Sequence, residues 1–361
     1  MKWSPEQDDA LKAVDQWLHK GETPVFRLFG YAGAGKTTLA RHFAENAGGD
    51  VAFAAFTGKA AHVMRQKGCE GATTIHSLIY RPAAGDDPDE PSFAIRRDAP
   101  ASKADLIIID ECSMVDEDLG RDLLSFDKPV LVLGDPAQLP PVKGGGFFTE
   151  GEPDFMLTEI HRQASDNPII RLSMAIRRGE PFDEVSPECR LISKHDVQTD
   201  EIMASDQILV GANRTRKRYN DRLRELHGFT DPTPEAGEKL VCLRNNKKKG
   251  LLNGGIWEVA SRLSPRGGRV RFSVRPEEGG RPVKVSVPRG FFTDGPESVA
   301  WPQRKGADEF DYGYALTVHK AQGSQWDHVV LFDESFMFRE HRDRWLYTAV
   351  TRAAEKLTLV R

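Results

Sequence analysis

Gly30-Tyr31-Ala32-Gly33-Ala34-Gly35-Lys36-Thr37 stands between an apolar run, Val25-Phe26-Arg27-Leu28-Phe29, and a stretch of helical character that begins near Lys36. The octet matches the P-loop pattern in the strand-to-helix setting that the pattern needs. Its glycines let the backbone N–H groups around Gly33, Ala34 and Gly35 wrap a phosphate chain, and the helix start adds a favourable dipole. Lys36 is then placed to reach the outer phosphates, Thr37 offers a hydroxyl to Mg²⁺, and Thr38 follows in the same first turn. A Gly-rich turn that merely caps a helix is the competing interpretation, and correct flanks on both sides disfavour it.

Downstream, Ile107-Ile108-Ile109-Asp110-Glu111 is an apolar strand ending in two carboxylates, at the sheet edge where ligands bind in open parallel sheets. Asp110 is expected to hold Mg²⁺ and Glu111 to act as base toward an attacking water, which suits hydrolysis of ATP. Upstream, Ser4-Pro5-Glu6-Gln7 precedes a helix whose apolar positions Ala10, Val14, Trp17 and Leu18 share a face, so Ser4 and Gln7 form a capping box. Gln7 can equally pair with the donor and acceptor edge of adenine. Both readings stand at this level.

Around these motifs strand-like and helix-like stretches alternate. Val25–Phe29, Val51–Phe56, Leu106–Ile109 and Val130–Leu133 are the expected strands of a first parallel sheet. A second series runs through Gln207–Val210, Gly313–Thr317, Val329–Phe332 and Lys356–Val360. Between Arg81 and Lys103 the rhythm breaks into Pro, Gly and Asp around Ser92-Phe93-Ala94-Ile95, which predicts a small inserted hairpin. Residues 237–309 hold short alternating segments, Val270–Val274 and Val283–Val287 among them, which predict a small antiparallel β insertion.

A chain of 361 residues is long for one core, and two lobes are expected. With 39% hydrophobic and 29% charged residues the balance is that of a soluble globular protein, neither disordered nor membrane-spanning. The start Met1-Lys2-Trp3-Ser4 lacks the pattern of a secretory leader, so a cytoplasmic protein is expected, in a bacterial or phage-infected cell. Cys69, Cys112, Cys189 and Cys242 form no CxxC pair and read as buried small residues rather than a zinc module. A net charge of −4 is silent on nucleic acid, because binding depends on where positive charge sits.

Further blocks follow in order: Phe56-Thr57-Gly58-Lys59-Ala60-Ala61, Thr73-Thr74-Ile75-His76-Ser77-Leu78, Leu133-Gly134-Asp135-Pro136-Ala137-Gln138-Leu139-Pro140-Pro141-Val142, Leu157-Thr158-Glu159-Ile160-His161-Arg162-Gln163, Ala315-Leu316-Thr317-Val318-His319-Lys320-Ala321-Gln322-Gly323 and Leu346-Tyr347-Thr348-Ala349-Val350-Thr351-Arg352-Ala353. Their types and order resemble motifs Ia, Ib, III, IV, V and VI of superfamily 1B DNA helicases of the RecD/Dda type, across nearly the whole chain.

That resemblance implies an α/β fold of two RecA-like P-loop domains, with a small hairpin insertion in the first and a small SH3-like β insertion in the second. The implied bounds are 1–80 and 105–178 for the first domain, 81–104 for a pin hairpin, 179–236 and 310–361 for the second domain and 237–309 for its insertion. It implies ATP and Mg²⁺ as cofactors, with Gln138 sensing the outer phosphate, Arg162 and Arg352 as cationic fingers, and Gly323 beside the nucleotide. An isolated arginine is more often a surface ion pair; its place within a motif reverses that expectation.

The same resemblance implies a nucleic-acid track over Phe56, Thr57, Lys59, Thr74, His76, Pro140, Pro141, Asn253, Thr317, His319 and Lys320, which supply hydroxyls, positive charge or flat surfaces. Capping is the competing role for Thr74, and a structural imidazole for His76 and His319. Phe93 reads as the pin's aromatic at the fork or as a small satellite core. Arg214-Thr215-Arg216-Lys217-Arg218 and Arg244-Asn245-Asn246-Lys247-Lys248-Lys249 could track phosphates or form solvated faces.

The expected partners are single-stranded and fork DNA, with replication or recombination proteins as a further class, no membrane, and a monomeric state. Movement 5′-to-3′ is implied by the resemblance alone. An RNA helicase of the same superfamily, or a nucleotide-dependent switch without unwinding, are the rival readings.

Overall fold

The computed structural model describes residues 3–82, 93–141, 146–159, 166–182, 186–277 and 279–361. In chain order the first eight strands are β1 (Val25–Gly30), β2 (Val51–Ala55), β3 (Thr73–Thr74), β4 (Tyr80–Pro82), β5 (Phe93–Ile95), β6 (Leu106–Asp110), β7 (Val130–Gly134) and β8 (Phe155–Leu157). Six of them form a parallel sheet in the order β3-β2-β6-β7-β1-β8. β6 is central because its Leu-Ile-Ile-Ile run is apolar on both faces and buried throughout, as a strand covered by helices on both sides must be.

One face packs on the helices Pro5–Lys20, Lys36–Asn46 and Gly58–Gln66 through Val14, Leu39 and Met64. The other packs on Ile75–Ile79 and Glu117–Leu124 through Ile75, Leu78 and Leu123. Each fully buried side chain of this size contributes about 1.5–3 kcal/mol over an exposed one, so these two clusters hold the strand ends rigid.

The remaining strands are β9 (Cys189–Ile192), β10 (Gln207–Val210), β11 (Lys239–Cys242), β12 (Ile256–Arg266), β13 (Arg269–Pro276), β14 (Val283–Pro288), β15 (Phe310–Tyr312), β16 (Ala315–Thr317), β17 (Trp326–Phe332) and β18 (Ala353–Val360). A second parallel sheet has the order β16-β10-β17-β18-β9. The strands read from the sequence for the two parallel series all belong to these sheets. β3, β8 and β9 are additional: two, three and four residues long, they carry too little pattern to register as strands alone.

The insertion is an antiparallel sheet, β14-β13-β12-β11-β15, with its own core of Trp257, Phe272, Phe291 and Phe310. β4 and β5 pair antiparallel at the base of the expected hairpin; residues 83–92 and the Phe93 side chain lie outside the described set.

At two places packing crosses the bounds expected from the sequence. Ile169, Leu172 and Ile176 of the helix Pro168–Arg178 share a cluster with Leu209, Leu316 and Trp345 of the second lobe and with Leu139 of the first, so this helix packs at the junction of the two. β15 pairs with β11, so the inserted sheet extends past residue 309. In both places the segments look continuous along the chain, and only the tertiary partner divides them. All four cysteines are buried. Among the described residues no helix is long and apolar enough to cross a membrane.

Candidate nucleotide cleft and nucleic-acid track

β1 ends at Gly30 and the following helix starts at Lys36, with Gly35 as its N-cap at φ 80°. That left-handed turn is cheap only for glycine, and it turns the chain so that the first turn of the helix faces the space beyond the sheet. Lys36 Nζ donates to the carbonyls of Gly30 at 2.7 Å and Tyr31 at 3.1 Å, bracing the ammonium within the loop. Thr37 Oγ1 donates to Asp110 Oδ2 at 2.7 Å. A hydroxyl and a carboxylate side by side are hard oxygen donors, the pair that Mg²⁺ takes from protein when phosphates and water fill its remaining positions.

Glu111 follows in a left-handed conformation, φ 54°, uncommon for a residue with a Cβ. Burial raises its pKa, with Arg352 opposing and Asp110 adding to the rise. A carboxylate raised in this way is better matched to accepting a proton near neutrality.

Lys36, Thr37, Thr38, Asp110, Glu111, Gln138, Gly323 and Arg352 line one cleft of about 330 Å³ between the lobes, together with Gly33 and Gly35. Gln138 is buried and its amide oxygen is without a hydrogen-bond partner, an orphan that suits a group meant to meet a ligand or its water. Arg352 is buried and donates to Thr348 O, Ser324 O and Thr351 Oγ1 at 3.0–3.2 Å. Arg162 lies outside the described residues.

Gly323 stands at φ 74°, and a Cβ there would sit 3.0 Å from Ala60 Cβ and 3.2 Å from Thr57 Oγ1 of the first lobe. The lobes therefore pack backbone against side chain at a place where a side chain is missing. Gln7 is buried and closes the capping box with Ser4 (3.1 and 3.3 Å), while its Nε2 donates to Ala34 O of the P-loop at 3.4 Å.

Three features were not legible in the motifs. The Glu6 carboxylate accepts from Thr158 N, Thr158 Oγ1 and Glu159 N at 2.7–2.9 Å, clasping the segment before Arg162 to the first helix. Tyr347 Oη, from the second lobe, accepts from Ala32 N at 3.2 Å and donates to Asp135 Oδ2 at 2.6 Å. Arg177 lies 3.4 Å over the Tyr31 ring. All three connect residues far apart in sequence, and adjacency to a motif was the one available hint.

On the track, Lys59 and Thr74 line a groove of about 600 Å³ between the first lobe and the inserted sheet, with Asn245 and Leu252 opposite. Asn253 is exposed in that opposing loop, its N–H donating to Asn245 Oδ1 at 2.7 Å. Phe56 and His76 meet edge to face at 6.2 Å, and His76 touches Tyr80 at 5.5 Å, a row of rings leading to the hairpin base. Pro140 and Pro141 are half-buried just beyond Leu139.

Thr317, His319 and Lys320 gather at the end of β16 on the other lobe, outside that groove. Thr74 caps a helix through Oγ1, the alternative role its sequence offered, and Thr57 and Thr317 do the same. Burial lowers the pKa of His76, of His319 and of Lys320, disfavouring the charged form of each.

In the basic stretches, Arg216 forms a buried ion pair with Asp311 at 2.7 Å, and Arg244 and Lys249 pair with Glu309 and Asp308 at 3.2 and 2.5 Å. Arg214, Lys217 and Arg218 remain exposed.

Comparison with known proteins places this geometry. A family model described as AAA domain matches residues 2–188, and one described as UvrD-like helicase C-terminal domain matches 312–360. The chain is 28% identical to the ATP-dependent RecD2 DNA helicase of Deinococcus radiodurans over 91% of its own length and 46% of that protein's. It is 27% identical to the rat ATP-dependent DNA helicase PIF1, over 97% of the chain and 60% of the relative. It thus spans about half the length of these relatives.

Its fold matches the Bacteroides Pif1 helicase solved with ADP-AlF3 and single-stranded DNA, with a TM-score of 0.62 at 20% identity over 99% of this chain and 92% of that one. The two parallel lobes are therefore RecA-like. The P-loop, the Asp110-Glu111 strand end, the cleft shared with Arg352 and the two matching family models lead to one conclusion: the chain belongs to the AAA-domain family and, within it, to the superfamily 1B helicases of the RecD/Pif1 type.

Proposed function

We propose that the chain is an ATP-driven motor that moves 5′-to-3′ along single-stranded DNA and parts duplex at a fork. The observation that carries this is the cleft lined by Lys36, Thr37, Asp110, Glu111 and Gln138 from one lobe and Arg352 from the other. A site split between lobes links phosphate chemistry to their relative motion.

In this reading Lys36 and the P-loop amides bind the phosphates and Gln7 reads the base. Thr37 and Asp110 would hold Mg²⁺, which supplies charge neutralisation at the phosphate oxygens. Glu111 takes a proton from the attacking water, and Gln138 senses the outer phosphate. Arg352, with Arg162, stabilises charge growing on the transferred phosphoryl group. Lys59 and Lys320 hold the backbone of the strand while the rings at Phe56 and His76 offer stacking surface, and the lobes alternate their grip as the cleft closes and opens.

DNA as substrate is supported by the RecD2 and PIF1 relatives, both named ATP-dependent DNA helicases; polarity rests on family likeness. We place the protein in the cytoplasm, acting as a monomer with single-stranded and forked DNA and alongside replication or recombination proteins. Phe93 is assigned to the fork, so Phe93→Ala should slow unwinding while leaving hydrolysis on single strands unchanged.

The decisive experiment is strand displacement on duplexes bearing a 5′ or a 3′ single-stranded tail, with ATP and a Lys36→Ala control. Unwinding from the 5′ tail alone is the expected result. Unwinding only from the 3′ tail overturns the polarity, and hydrolysis without unwinding on either overturns the motor in favour of a switch.

A further inference from the structure

Three second-lobe side chains cross the cleft to a single first-lobe loop. Tyr347 Oη donates to Asp135 Oδ2 at 2.6 Å, Leu139 N donates to Thr348 Oγ1 at 2.9 Å, and Gln322 Nε2 donates to Leu139 O at 3.0 Å. Tyr347, Thr348, Gln322, Asp135 and Leu139 are all buried. The loop between the two anchor points carries Gln138, whose amide oxygen has no partner. Tyr347 also makes a contact that the other two do not: its oxygen accepts the Ala32 N–H of the P-loop at 3.2 Å. The neighbouring Tyr31 ring lies under the Arg177 guanidinium at 3.4 Å.

The P-loop is therefore gripped by the second lobe at residues 31 and 32. Gly33, Gly35, Lys36 and Thr37 line the phosphate site beyond that grip.

We propose that Tyr347 is a positioning residue for hydrolysis, its hydroxyl tying the P-loop to the Gln138 loop so that both move with the second lobe. The inference rests on the reading of the cleft as an ATPase site. A phenol can serve here because it is donor and acceptor at once, and it must keep its proton to do both. Burial and the Asp135 carboxylate hold that proton in place, pushing the phenol's pKa well above its ordinary value. Asp135, itself raised by burial, has Tyr347 on one oxygen and Ala137 N at 3.0 Å on the other. Removing the hydroxyl alone would leave a buried carboxylate oxygen and a P-loop N–H without these partners while the ring still fills its place.

The test is Tyr347→Phe, read first by hydrogen exchange at the Ala32 amide in nucleotide-free protein. Exchange at least about tenfold faster than in the wild type is expected, since the amide loses its acceptor. Steady-state hydrolysis with single-stranded DNA should lose about tenfold in kcat, with KM for ATP changed less than about threefold. Asp135→Asn, which keeps the side chain's shape, should lower kcat similarly, and the double variant should be no worse than the more severe single one, because both break the same link.

Unchanged Ala32 exchange together with kcat within about twofold of the wild type overturns the proposal, as does a rise in KM with kcat intact. Should wild-type hydrolysis ignore DNA, the motor reading fails, and the exchange measurement still decides whether the tether exists.

Discussion

β1 in the first lobe and β10 in the second each run into a helix at the same edge of a parallel sheet, a junction that presents backbone N–H groups to an anion. After β1 the glycine-rich turn leads to Lys36 and Thr37 and opens on the cleft. After β10 the turn is filled by the chain itself: Glu334 accepts from Gly211 N at 2.6 Å, Ala212 N at 3.0 Å and Thr215 Oγ1 at 2.7 Å. Two junctions of the same architecture thus hold an internal carboxylate in one case and are left for a phosphate in the other. Fold alone does not make a nucleotide site; an anion-binding turn becomes one only where no side chain already neutralises it.

The sharpest way to break this asymmetry is to remove the cations that face the open turn. Lys36→Ala and Arg352→Ala should each lower ATP turnover on the order of 10³-fold. They should differ in binding, with a fluorescent ATP analogue lost from the Lys36 variant and retained by the Arg352 variant within about tenfold. Equal loss of binding in both would contradict the division of labour between the lobes.

Glu111→Gln should reduce kcat by about 10²–10⁴-fold with nucleotide binding intact. Its carboxyl is raised by burial, so the base form is lost as pH falls through a value above the ordinary carboxylate range. The acid limb of the kcat/KM profile should lie correspondingly high, and a limb at the usual carboxylate position would remove Glu111 from the role of base.

Glu334→Gln tests the closed turn. It should leave ATP affinity unchanged and cost about 1.5–3 kcal/mol of stability in a urea titration, the scale for hydrogen bonds to a charged acceptor. Increased nucleotide stoichiometry would show that the carboxylate had been masking a second site. Glu6→Gln is the mildest change, about 1 kcal/mol, and should lower kcat more than stability if the Thr158–Glu159 clasp matters mainly for aligning the segment that follows.

The first-lobe half of the cleft was legible in the sequence because its chemistry is contiguous: a glycine-rich turn and a strand ending in two carboxylates each declare themselves within ten residues. The nearest-neighbour logic of capping was legible too, at Ser4 and Gln7. Tyr347, Glu6, Arg177 and Glu334 were not, since each acts on backbone or rings more than a hundred residues away and looks unremarked in its own helix or loop. The second-lobe contacts of the helix Pro168–Arg178 were hidden for the same reason: its amphipathic face states that it packs, not on what. The charge in the basic stretches was equally opaque, because Arg216 and Lys249 look like Arg214 and Lys217 until Asp311 and Asp308 are seen beside them.

Gly58 has a mechanical meaning beyond its place in a motif. A Cβ there would lie 2.7 Å from Asn245 Oδ1 and 3.2 Å from Leu252 Cβ, so the inserted sheet rests directly on the first lobe's backbone. The insertion belongs by chain to one lobe and bears on the other, as a journal sits in its bearing. Any rotation of the lobes must slide across that smooth spot, and a methyl group added there would act as grit against the facing loop.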